Sequence, residues 1–246
     1  LSALSPKVNE QLYSMATDGT IIYYNPIRQI DIFKKNGMYL NRAYLHSVLH
    51  CLFFHLWTKG ERDEFLWNTA CDIMVEYTID TMEKKSTKRI LSYIRKTTYE
   101  RLKKEHIVIA PGALYAWLYK QYAEIEAEET TDIDDIPNTK DKNELAILAR
   151  EFYTDDHALW PEEKNDNAMP LSSSEAQKQW QKISRQTRME KKHSKDSESE
   201  GEQVMMRELS AKRSRRSYKE FLRRFAVLRE EVHADYDSFD MGYYAF

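Results

Sequence analysis

Three histidines interrupt the most apolar stretch of the chain, and that stretch constrains the fold more than any other. Over residues 39–57, Leu45, Val48, Leu49, Leu52, Phe53 and Leu56 recur at helical spacing. The segment is too apolar on all sides for an ordinary surface helix, so it predicts a central helix buried around most of its circumference. Within it lie His46, His50 and His55. Positions 46 and 50 fall about 40° apart on one helical face. Two imidazoles so placed either bond to carbonyls inside a core or chelate one metal ion together. His55 falls about 140° from His50 if the helix continues, off that face.

Around this helix the pattern is α+β and predominantly α-helical. Two β-prone arms flank Asp18-Gly19, a hairpin signal near the start, and Pro26 ends the second arm. Further helices are expected over 27–35, 63–82, 86–104 with Ser86 as N-cap, and 112–127 after Pro111. The acidic stretch 124–135 reads as a solvated loop. Beyond it come an apolar run over 145–153, an amphipathic helix over 175–193, a low-complexity linker over 194–202 and a basic helix over 203–228. The expected division is 1–160 for the main domain, 161–202 for a polar helix and linker, and 203–246 for a basic helix and aromatic tail. That tail, and a start at Leu1 rather than Met, suggest a piece of a longer protein.

The 37 Lys+Arg against 40 Asp+Glu leave a net charge of −3, which disfavours a polybasic membrane or histone-like role. No run reaches the roughly 18 apolar residues of a membrane span. Cys51 and Cys71 both lie in helical patterns and make no disulfide framework, so a reducing, cytoplasmic setting is expected. Lys212-Arg213-Ser214-Arg215-Arg216 invites nucleic-acid binding. The apolar face that follows, with Phe221, Leu222 and Phe225, favours a packed helix instead.

A third metal ligand for His46 and His50 has a candidate source in the next helix, where Asp72 and Glu76 stand one turn apart. The plainer reading of that spacing is an exposed polar stripe of Asn68, Asp72 and Glu76. Asp156-His157-x-x-Trp160 is a second polar-aromatic cluster, read either as a loop cap or as a group that completes a metal shell.

Together, His46-x-x-x-His50-x-x-x-x-His55 and the following Leu66-Trp67-Asn68-x-Ala70-x-Asp72 resemble a bacterial family. It is the putative metallopeptidase domain that precedes a von Willebrand factor A-like domain, in proteins linked to MoxR-type AAA+ ATPases. The resemblance extends to Asp18-Gly19 before Tyr23-Tyr24-Asn25-Pro26, to Asp155-Asp156-His157-x-x-Trp160, and to Asp235-x-Asp237-Ser238-Phe239-Asp240. It implies a zincin-like core, with a small N-terminal hairpin or sheet packed on the His-bearing helix. It also implies Zn²⁺ held by His46 and His50, with Asp72 as third ligand and His55 as the alternate. The chain departs from the family pattern at Ser47, which stands where the general-base Glu of His-Glu-x-x-His belongs. A serine hydroxyl does not take up a proton at neutral pH, and losing a general base typically costs about 10²- to 10⁴-fold. The reading ranked first is therefore a non-hydrolytic metal-binding scaffold for a von Willebrand-like domain and an ATPase partner. An active zinc peptidase using Glu76 or Glu64 as displaced base ranks second, and a nucleic-acid module using the basic helix third.

Overall fold

The computed structural model describes residues 4–129, 139–161, 171–193 and 199–214. Contacts divide the chain into Leu1–Leu209, to which the following applies, and Ser210–Phe246, of which only 210–214 are described, as helix. The fold is a predominantly helical α+β arrangement with one small mixed sheet. Strands β1 (Ser5–Val8), β2 (Met15–Thr17), β3 (Ile21–Tyr24) and β4 (Asp155–Asp156) line up in the order β1-β3-β2-β4. The β2–β3 pair is the expected antiparallel hairpin. Strand β1 joins β3 in parallel, and β4 joins β2 in parallel with Met15 opposite Asp155.

Gly19 makes that hairpin possible. Its φ of 92° suits glycine alone, and a Cβ there would stand 2.6 Å from the Trp57 ring. Asp18 Oδ1 accepts the Thr20 and Ile21 N–H groups, each at 2.8 Å, which fixes the turn.

Helix α1 (Pro26–Lys35) opens with Asn25 as N-cap, and α2 (Gly37–Leu52) follows with Asn36 as its cap. The central helix was expected to run to 57. It stops at Leu52 because Phe54 adopts a left-handed φ of 58°, and a 3₁₀ turn (His55–Trp57) takes over. This break swings His55 out of the register that a continuous helix would impose. Helix α3 (Glu64–Thr81), capped by Asp63, has buried residues on nearly every face and forms the spine of the core beside α2.

Helix α4 (Tyr93–Lys104) starts well after Ser86. Ser92 is the true cap, its hydroxyl accepting the Arg95 N–H at 3.2 Å, and a turn closed by Thr87 N–H on the Lys84 carbonyl occupies the region before it. Helix α5 (Pro111–Glu129) runs into the acidic stretch expected as loop, since Glu and Ala favour helix, while 130–138 lie outside the described residues. Helices α6 (Thr139–Phe152) and α7 (Leu171–His193) complete the region, α7 starting four residues before the expected 175.

Helix α8 (Glu200–Ser214) begins inside the expected linker. Ser199 and Glu202 exchange side-chain-to-N–H bonds as a capping box. Its Gly201 lies so close to the end of α3 that a Cβ would meet the Thr78 carbonyl at 2.1 Å. The expected basic helix to 228 and the aromatic tail lie outside the described residues beyond 214. None of the described helices is long and apolar enough to cross a membrane.

Candidate metal centre

The face of α2 that carries His46 and His50 packs against α3 and β4, and both histidines are fully buried. From α3 comes Asp72 and from β4 Asp155, and the turn after β4 brings in His157. One donor atom from each of these five side chains converges, all within 4.8 Å of one another. His46 Nε2 stands 2.8 Å from His50 Nε2, 3.3 Å from Asp72 Oδ1 and 3.4 Å from Asp155 Oδ1. His157 Nε2 stands 3.2 Å from Asp72 Oδ1 and 3.0 Å from Asp155 Oδ1. Neighbouring ligands on one ion at the usual ~2.0–2.2 Å bond lengths stand about 2.8–3.6 Å apart, from octahedral to tetrahedral geometry. These side chains thus have the spacing of one coordination shell, and imidazole and carboxylate donors suit a divalent transition metal.

A second layer orients the donors. Glu76, one turn after Asp72, holds His46 Nδ1 at 2.7 Å, which places the other lone pair, on Nε2, in the cluster. Glu76 is itself fixed by Arg42, which reaches its Oε2 from Nη2 at 2.5 Å, and by Arg95. Asp80 bridges the same two arginines, at 2.7 Å from Arg42 and 3.0 Å from Arg95. His55 meets His50 Nδ1 through its own Nδ1 at 3.0 Å, behind the cluster rather than in it. Ser47 donates to Asp155 Oδ2 at 2.6 Å, leaving Asp155 Oδ1 among the converging atoms. Glu64 is exposed and pairs with Lys59 at 3.2 Å. It lies on the rim of a cleft of ≈ 340 Å³ whose wall includes Asn68, His157 and Trp160.

The exposed polar stripe that bare spacing favoured is overturned, since Asp72 and Glu76 are buried. Spacing in the sequence pointed to His46 and His50, and the family resemblance to Asp72, and the structure brings all three together. It left His157 as a loop cap or shell member, and it did not single out Asp155 as a donor. Asp156 is the capping residue, accepting the Ala158 N–H at 2.9 Å, while His157 turns into the cluster. The available signal was the Asp-Asp-His run itself. Parallel pairing of a two-residue strand with β2 carries Asp155 to the site, and no local pattern announces that contact.

The charges are balanced by protons where no cation is present. Burial lowers the His157 pKa, but Asp72 and Asp155 outweigh it and push it up to about 9. Burial likewise acts to lower His46, and Asp155, Asp72 and Glu76 hold it well above its ordinary value. Burial dominates at His50, which falls to about 4 despite Asp72, with the positive charge of His46 adding to the drop. Burial raises Asp72, Asp155 and Glu76, but the histidines and, at Glu76, the arginines keep all three depressed.

The raised His46 and His157 stabilise the fold fully below pH 6.5, and His157 loses its share as pH rises toward about 9. The depressed His50 contributes above 6.5 and loses its share as pH falls toward about 4. The carboxylates contribute above their ordinary 3.8–4.5 and lose their share below it. Metal-free protein is therefore expected to be most stable near pH 6.5, falling on both sides. Urea unfolding across pH 4–9 checks this, and a monotonic profile contradicts it.

Fold and site together define a helical α+β protein with a buried His/Asp cluster whose converging donor atoms could hold a metal ion. The chain belongs to the family described as "putative metallopeptidase domain", whose sequence profile matches residues 1–236. No curated protein and no solved structure matches it.

Proposed function

We propose that this chain binds a divalent metal ion, zinc in first place, and uses it as a fixed binding centre rather than a hydrolytic one. His46, His50, Asp72, Asp155 and His157 would hold the ion. Bound there, it would supply a Lewis-acid centre at the foot of the cleft. The observation that carries the reading is the Ser47–Asp155 bond of 2.6 Å. The side chain at the family's general-base position is spent on orienting a donor. Glu76 is equally committed, to His46, Arg42 and Arg95. Two helical histidines joined by a carboxylate from the next helix, beside a small sheet, support the zincin-like reading of the core.

Elemental analysis of purified protein, run beside cleavage assays on unfolded protein and a peptide library, tests the proposal. About one equivalent of metal with no cleavage is the expected result. A second reading rests on Glu64, whose exposed carboxylate on the cleft rim is held only by Lys59 among the described residues. Chelator-sensitive cleavage abolished by Glu64→Gln would establish that reading in place of the first.

The scaffold role extends, on the strength of the resemblance, to a downstream von Willebrand A-like domain and a MoxR-type ATPase as partners. The basic helix favours packing over nucleic acid where it is described, since Arg207 donates to the Ile109 carbonyl at 2.8 Å.

A further inference from the structure

Among the described residues, two polar groups on the cleft wall are left without a hydrogen-bond partner. Asn68 stands one turn before Asp72 on a stripe of α3 that descends from cleft to core. Asn68 is partly exposed, Asp72 is 4% exposed and Glu76 is 0% exposed. Among the described residues the Asn68 carboxamide makes no hydrogen bond. Trp160 stacks on His157 with ring centroids 3.9 Å apart and lies 5.1 Å from the His50 ring. Its Nε1–H is shielded from solvent and has no partner among the described residues. A buried indole N–H ordinarily finds an acceptor, so an orphan one calls for an explanation.

The indole N–H does not explain itself as a cation ligand, since it has no lone pair to offer, and the Asn68 carboxamide carries an N–H₂ donor beside its carbonyl oxygen. Both suit an incoming oxygen. Most charged groups of the same cleft are already engaged, Glu61 being the further one that lines it. Lys59 pairs with Glu64, and Arg62 donates to the Thr58 and Lys59 carbonyls. With neutral imidazoles, two carboxylates and a divalent ion sum to zero charge, so an anion meets no net repulsion at the centre.

We propose that the cleft receives a carboxylate-type oxyanion at the metal centre, with the Asn68 carboxamide and the Trp160 indole N–H as its hydrogen-bond donors. This rests on the metal-binding reading above.

The test uses the full chain loaded with cobalt(II), whose visible bands report changes at the metal, and titrates it with acetate. Wild type is compared with Asn68→Ala and Trp160→Phe, and bound cobalt is measured in each. Both variants are expected to keep the wild-type cobalt content and to weaken acetate binding about five- to tenfold, the loss of one hydrogen bond apiece. Unchanged acetate affinity in both, or no response in wild type, overturns the proposal while leaving the metal site standing. A loss confined to one variant overturns the donor pair. If Trp160→Phe loses cobalt through misfolding, Asn68→Ala alone decides. Wild type that takes up no cobalt overturns the metal reading itself.

Discussion

His46→Ala is expected to cost the protein at least about a hundredfold in metal affinity. Structural zinc in small sites is bound by roughly 10–16 kcal/mol, or about 2.5–4 kcal/mol for each of four ligands, which corresponds to about 10²- to 10³-fold. His46 has a further reason to dominate, since its ring touches four carboxylate and imidazole partners. Its Nε2 faces His50, Asp72 and Asp155, and its Nδ1 is held by Glu76. Asp155→Asn and His157→Ala should lose affinity on a comparable scale. His55→Ala, which removes only the group behind His50, should lose about ten- to a hundredfold. Competition against a zinc chelator of known affinity measures all four. Near-zero metal in wild type and His46→Ala alike would remove the centre. Wild-type affinity in His157→Ala would remove His157 from the donor set.

How much of this was legible in the sequence depended on range. Helical spacing is a local signal, so the shared face of His46 and His50 and the Asp72–Glu76 stripe were open to reading. The role of Glu76 was harder, because a carboxylate near a metal reads as a base until its partners are known. Those partners are Arg42 and Arg95, one from α2 and one from α4. The end of the helix before His55 was not legible because one residue, Phe54, adopts a left-handed conformation with no glycine to announce it. Asp155 and His157 reach the centre from the far end of the sheet, along a strand too short to show alternation. The hairpin at Asp18-Gly19 was readable because its turn chemistry is written in two adjacent residues. The start of α4 was not, because Ser86 and Ser92 both qualify as caps and only the tertiary contacts choose between them.

Arg95→Ala is expected to destabilise the metal-free protein by about 3–5 kcal/mol, the scale seen when one member of a buried ion network is removed. Arg95 is fully buried. It pairs with Glu76, with Asp80 at 3.0 Å and with Glu151 at 3.2 Å, while its guanidinium lies 4.8 Å from the Phe152 ring centroid. Truncation leaves two buried carboxylates with Arg42 as their one shared guanidinium, Glu76 keeping His46 and Asp80 keeping the Tyr99 hydroxyl. Because small domains hold only about 5–15 kcal/mol in total, this loss would bring the protein close to unfolding at room temperature. Arg95→Lys keeps the charge but not the planar fork that spans three acceptors, so an intermediate loss is expected. Glu76 would also be freed to turn away from His46, so Arg95→Lys should weaken metal binding although it lies outside the donor set. Urea unfolding with and without zinc separates the two effects. A loss below about 1 kcal/mol for Arg95→Ala, or unchanged zinc affinity in Arg95→Lys, would show that Glu76 keeps its place without Arg95. The carboxylate–histidine support of the centre would then rest on Arg42.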